Sequence, residues 1–299
     1  MVVTPSRYVW IARFALVMLV AIVITGSVVR LTGSGLGCVD WPECNEERFI
    51  DVSSGHAAIE QVNRLFTGLV ALSVVLALGT SLLMRPRSRR LVILSVGLVI
   101  GVLAQVVIGG IVVLTGLHPS SNMIHFLVSV ILVATSRLLL NEARRASGRE
   151  TEESRPRGSS KWAGALMTST IATIVAGTMV TATGPHAGDE NAPRFDLDLR
   201  STVQVHGVLA WFTAILLLYG IWKAFTEWRT LRRSIEIMLG MFLAQMFVGY
   251  LQYFSGVPAQ LVAVHIAISM GVVITTMDVM WRCQARATVS ERQRASVGP

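Results

Sequence analysis

The sequence predicts an all-α polytopic membrane protein made of two tandem, parallel four-helix-bundle repeats. Three observations carry this expectation. Of the 299 residues, 53% are hydrophobic and only 15% charged, and a mean hydropathy of +0.60 lies outside the range of soluble globules. The apolar residues gather in runs of about 20, the length that crosses a hydrocarbon core of about 30 Å. A 27-residue segment also recurs 140 positions further along the chain.

The runs lie near residues 9–29, 57–84, 91–114, 122–140, 162–182, 202–222, 235–254 and 261–281, giving eight spans. The first reads as an uncleaved anchor, because it is longer than the apolar region of a signal peptide. Leu91–Ser136 and Ile237–Met277 are uncharged over 46 and 41 residues, too long for one crossing. Each therefore turns back at its breaker cluster, TGLHPSS at Thr115–Ser121 and SGVPAQ at Ser255–Gln260. Nineteen of the 26 Lys and Arg fall in the N-tail, the loops 85–90, 141–161 and 223–234, and the C-tail. The alternate loops hold only Arg30, Arg48, Arg194 and Arg200. This asymmetry puts both termini in the cytoplasm and the loops 31–56 and 183–201 outside a cell membrane. It also explains the net charge of +8 as a record of orientation, so no nucleic-acid partner is expected.

Residues 103–129 and 243–269 match at Leu-Ala-Gln, at Gly109 and Gly249, Gly116 and Gly256, His125 and His265, and Ser129 and Ser269. Gln61-Val62-Asn63 aligns with Gln204-Val205-His206, and TGSVVRLTGSG at the end of span 1 aligns loosely with AGTMVTATGPH in span 5. An even number of spans per copy makes the repeats parallel. The expected organisation is a first repeat over 1–140, a cytoplasmic linker over 141–161, a second repeat over 162–284 and a tail over 285–299.

Ionisable residues inside spans are costly and mark sites. Asn63, His125, His206 and His265 each lie a few residues inside the outer end of a span, so they form one layer within about 10 Å of that boundary. Two histidines on facing helices of a four-helix bundle are how such a bundle ligates heme axially, and His206 and His265 make such a pair. The alternative is that each makes an interhelical hydrogen bond. Glu60, Asn63 and Arg64 share one helical face. Glu60 and Arg64 either neutralise each other, or Arg64 holds an anion such as a porphyrin propionate while Glu60 positions a proton or water. Cys38 and Cys44 face a disulfide-permissive compartment and are expected to pair, as a loop staple or as a redox-active bridge. Cys283 ends span 8 on the reducing side and is expected to be inert. His56, His118 and His186 belong to the outer loops, where ordering of the loop or simple solvation is expected. GSGLGC at 33–38 follows no strand and lacks the P-loop lysine, so nucleotide binding is discarded.

TGSGLGCVDWPEC after span 1, IEQVNRL opening span 2, IHF in span 4, QVHGVLAW in span 6 and VHIAIS in span 8 resemble the heme A synthase family over nearly the whole chain. The resemblance implies oxidation of the C8 methyl of heme O to a formyl group, by successive hydroxylations, to supply heme A to a terminal oxidase. It implies heme b held by His206 and His265 as the resident cofactor, heme O as substrate at His125, a catalytic role for Glu60, and a paired Cys38 and Cys44. Implied partners are heme O and heme A, a heme O synthase, an electron donor and the lipid bilayer; the oligomeric state, a homo-oligomer included, is left open. The chain departs from the family at Asn63, where the pattern has a second front-site histidine in E-x-x-H-R. A carboxamide is a poor iron ligand, so Asn63 leaves either an open position beside bound oxygen or water, or a weakened site. Two other classes fit the residues: a b-type electron-transfer cytochrome without synthase activity, and a parallel-repeat transporter.

Overall fold

The computed structural model describes residues 2–148 and 156–284. The expected tail 285–299 and the middle of the 141–161 linker lie outside the described residues. Eight helices are long and apolar enough to cross a membrane: α1 (Pro5–Leu31), α2 (Gly55–Leu83), α3 (Arg89–Leu114), α4 (Pro119–Ala146), α5 (Ser159–Thr183), α6 (Leu199–Thr226), α7 (Arg232–Phe254) and α8 (Ala259–Cys283), with a short 3₁₀ turn over Arg229–Leu231 before α7. Among the described residues there is no β-sheet, as the composition anticipates.

The ends of the helices follow local chemistry. Ser54 and Ser88 cap α2 and α3 by accepting from the backbone N–H of Ala57 and Leu91. Asp198 caps α6, taking the Ser201 hydroxyl at 2.6 Å and its backbone N–H at 2.8 Å. These two bonds hold its carboxyl below the ordinary carboxylate range, so the cap is complete above that range and is lost as pH falls through the lowered value. The α4 helix continues to Ala146, further than the sequence boundary at 140. Asn141, Glu142 and Ala143 are buried there, and Glu142 pairs with Arg145 and, at 3.5 Å, with Arg90 of α3.

The two short hairpins have the same backbone trace. Gly116 and Leu117 have φ of 60° and 61°, and Gly256 and Val257 have 78° and 58°. Left-handed backbone is unusual for leucine and more so for a β-branched valine, so tertiary contacts must hold it. Leu117 is buried and its carbonyl accepts from Asn122 Nδ2 at 2.9 Å. The Val257 carbonyl lies 2.8 Å from His186 Nε2. This correspondence, 140 residues apart, is consistent with the tandem repeat.

Helices α1–α4 pack as a ring, α1 against α2 and α4, and α3 against α2 and α4; α5–α8 form an equivalent ring. Each ring has its own apolar core, around Tyr8, Leu91 and Leu139 in the first and around Leu166, Leu217 and Ile235 in the second. The rings join where α4 and α1 meet α8 and where α4 meets α5. A bidentate ion pair crosses that seam. Arg137 of α4 forks onto Asp278 of α8 at 2.6 and 2.7 Å, and Asn141 Nδ2 adds a 3.0 Å bond. Asp278→Ala leaves the Arg137 charge without its partner, which costs about 3 kcal/mol for a largely buried pair. The expected result is a clearly lowered melting temperature in detergent, with most of it recovered in the swapped Arg137→Asp/Asp278→Arg protein.

Candidate functional site

Within each ring the even-numbered helices are diagonal: α2 faces α4, and α6 faces α8, across the centre of the bundle. This topology puts Asn63 and His125 on the diagonal helices of the first ring and His206 and His265 on those of the second. His206 of α6 and His265 of α8 stand with ring centroids 6.4 Å apart and planes at 70°. His206 Nδ1 lies 2.9 Å from the Thr173 carbonyl, which makes Nδ1 the protonated nitrogen and leaves Nε2 with its lone pair. Among the described residues no protein group hydrogen-bonds Nε2 of His125, His206 or His265, and Nδ1 of His125 and of His265 is a buried atom without a partner.

Glycines set where these rings lie. An added Cβ on Gly177 of α5 would stand 3.1 Å from His206 Cε1, and one on Gly249 of α7 would stand 3.1 Å from His265 Cε1. In the first ring Gly109 of α3 has the same relation to His125 at 3.5 Å, and Gly26 of α1 faces Asn63 at 4.0 Å. All four layer positions are therefore seated against bare backbone of the preceding helix, and the repeat-matched Gly109 and Gly249 acquire a purpose that sequence alone did not supply. The repeated Gln and Ser also meet in the first ring. Gln105 Nε2 donates to the His125 carbonyl at 2.9 Å and to Ser129 Oγ at 2.5 Å.

Glu60 is buried, and both of its oxygens are engaged. Oε1 accepts from Arg64 Nε at 3.0 Å and from an Arg64 terminal nitrogen at 2.7 Å, while Oε2 accepts from the Cys38 backbone N–H at 2.8 Å. The remaining Arg64 donors go to the carbonyls of Asp40 and Glu43, each at 3.1 Å. The neutralising i,i+4 pair is thus present, and Arg64 clamps the outer loop to α2 with no N–H left over for an external anion. That loop is closed by the Cys38–Cys44 disulfide and lays Trp41 over Gly110 of α3, covering that end of the first ring.

The other histidines order loops. His56 Nδ1 meets Ser34 Oγ at 2.9 Å, His118 Nδ1 accepts from the Ser120 N–H at 3.3 Å, and His186 holds the second hairpin. Sequence reading missed Arg30, which donates to the carbonyls of His186 at 2.7 Å and Thr181 at 3.0 Å. It ties the end of α1 to the loop after α5, and its place at an outer span end was the available signal. Cys283 is buried and lies outside the Cys38–Cys44 disulfide.

Fold and site together define a polytopic membrane protein whose chemistry-bearing side chains face each other inside two helical bundles. The chain belongs to the COX15-CtaA family, cytochrome oxidase assembly protein, whose model matches residues 8–58 and 49–277. It is similar to the heme A synthase of Lysinibacillus sphaericus, 32% identical over 136 residues, which is 45% of this chain and 44% of that protein. The heme A synthases of Bacillus mycoides and Bacillus cereus are 31% identical over 131 residues, 44% of this chain and 42% of each relative. The matched segments thus span less than half the length of these curated relatives.

Proposed function

We propose that this protein is a heme A synthase, oxidising the C8 methyl of heme O to a formyl group, with a resident heme b between His206 and His265 and the substrate heme at His125. The observation that carries the proposal is the His206–His265 separation of 6.4 Å between ring centres on diagonal helices. Two imidazoles that held one metal between them through Nε2, with bonds of about 2.0 Å and about 1.1 Å from nitrogen to ring centre, would have centroids about 6.2 Å apart. The donor set agrees with this. Two histidines without a third side-chain ligand suit a metal whose other ligands come from an organic ring.

Heme in the second ring would supply one-electron redox chemistry. His206 and His265 hold it at fixed spacing, with Thr173 setting the His206 tautomer and Gly177 and Gly249 admitting the rings. In the first repeat, residues 1–140, His125 binds the substrate and Gly109 seats its ring. Asn63 occupies the place that His206 has in the second repeat, and its buried Oδ1 has no protein partner; it serves as a hydrogen-bonding group toward water or oxygen beside the substrate. Glu60 holds a proton acceptor at the outer edge of this site, and the disulfide loop excludes bulk water above it. The basic loops orient both termini to the cytoplasm and place these sites toward the outer face. A heme O synthase supplies the substrate, and a separate electron donor reduces the site.

The test is acid-acetone extraction of protein expressed with a heme O supply, with the hemes identified by mass. Heme A or its alcohol precursor beside heme B is expected. Heme B alone means an electron-transfer cytochrome, and absence of any heme means a transporter. A second expectation concerns the departure from the family. In Asn63→His the new imidazole faces Gly26 as His206 faces Gly177, so a second low-spin heme signal should appear when heme is supplied; an unchanged spectrum would show that substrate heme does not lie between α2 and α4.

A further inference from the structure

At the opposite end of the second ring, away from the histidine layer, the surface is hollowed. Between the start of α5, the last turns of α6 and the 3₁₀ turn is an open cleft of about 390 Å³. Its rim carries Arg157, Lys161 and Lys223 against one acid, Glu227. Glu227 is taken by Lys223 at 2.6 Å, and among the described residues Arg157 and Lys161 have no carboxylate at ion-pair distance. The floor is aromatic. Trp162 and Trp228 are 6% and 2% exposed, with ring centroids 5.2 Å apart.

Both indole N–H groups are already used, that of Trp162 on the Leu216 carbonyl at 2.8 Å and that of Trp228 on the Arg157 carbonyl at 3.2 Å. The floor is therefore fixed before any ligand arrives and offers it ring faces, while polar recognition falls to the cations. The α5 N-cap is Gly158, which has no side chain to satisfy the first-turn amides, and this adds a favourable field for an anion. From the charged rim the cleft continues along Ala165 and Leu216 into the apolar length of the two helices.

We propose that this cleft binds the phosphate headgroup of an anionic phospholipid, with an acyl chain running along the Ala165 and Leu216 side. A charged head with an apolar tail matches a basic rim above an apolar, aromatic groove; a free phosphate would use only the rim. The cleft also sits where the two basic loops 141–161 and 223–234 meet, the end of a membrane bundle at which anionic headgroups concentrate. The proposal is independent of the heme chemistry.

The experiment uses the purified full-length protein and counts retained lipid by native mass spectrometry, with thermal melting alongside. The probes are dioleoyl phosphatidylglycerol, dioleoyl phosphatidylcholine and inorganic phosphate. The wild type should retain one phosphatidylglycerol, melt higher with it, and respond to neither of the others. Arg157→Gln/Lys161→Gln/Lys223→Gln should bind it on the order of 100-fold more weakly, while Arg7→Gln/Arg87→Gln/Arg89→Gln, which removes equal charge elsewhere, should bind as wild type. Equal losses in both triple variants would reduce the effect to general surface attraction and overturn the proposal. So would an equal response to inorganic phosphate, which would make the cleft a site for the free ion. If the first triple variant folds poorly, Lys161→Gln alone provides the same comparison on a milder scale.

Discussion

If His206 and His265 hold a heme as proposed, His265→Ala should abolish its low-spin spectrum in the purified protein while leaving the helical content intact. The expectation follows from a two-ligand site in which each imidazole comes from a different helix and neither ring has another protein partner at Nε2. Removing His265 leaves His206 alone, and no other described histidine faces it, so six-coordinate low-spin character cannot be kept. Gly249→Val and Gly177→Val extend the argument to residues that touch no metal. A Cβ at either glycine already stands 3.1 Å from the imidazole, and the valine methyl groups reach further, so the ring must swing away. Disturbing ligand orientation in this way lowers metal-site affinity by about 10- to 100-fold. These variants should therefore purify with most of their heme lost and a shifted spectrum, whereas Gly240→Val, on α7 with open space around its Cβ position, should keep its heme. Survival of the low-spin signal in His265→Ala would move the resident heme elsewhere in the molecule.

Glu60→Gln keeps the bound hemes and loses the formyl product, by about 10²- to 10⁴-fold in turnover, the range for a positioned acid or base. Glutamine retains an oxygen that can accept from the Cys38 N–H, removes the charge and turns the oxygen facing Arg64 into an amide donor, while leaving the side chain's length and shape unchanged. Glu60→Ala, by contrast, takes away both the Cys38 contact and the partner of Arg64, and mixes a chemical effect with a loosened loop. Arg64→Lys separates the two. Lysine keeps a positive charge near Glu60 but cannot reach Glu60 and the Asp40 and Glu43 carbonyls together, since its ammonium lacks the planar fork. If Glu60 acts on the substrate, Glu60→Gln is far slower than Arg64→Lys. If it only anchors the loop, the two fall together, and that outcome removes Glu60 from the chemistry.

The architecture was largely legible in the chain. Eight spans, the two tight hairpins and the 140-residue correspondence follow from apolar run length and from Gly and Pro placement, because a bilayer imposes a fixed crossing length and leaves few ways to turn. The Cys38–Cys44 pair was legible from its spacing and loop. Asn141–Ala146 reads as polar sequence, yet α4 continues through it with Glu142 buried beside Arg145 and Arg90.

What the sequence by itself determined, then, was the number of crossings and the depth of the polar residues inside them, since depth is a matter of counting residues along a helix from its end. Only the tertiary structure decided which faces meet. In a membrane bundle the side toward lipid is as apolar as the side toward the core, so periodicity does not report helix rotation. Hence the seating of each layer residue on a glycine of the neighbouring helix, the Arg137–Asp278 contact between the two rings and the full use of Arg64 on the disulfide loop became visible only once the helices were rotated and packed.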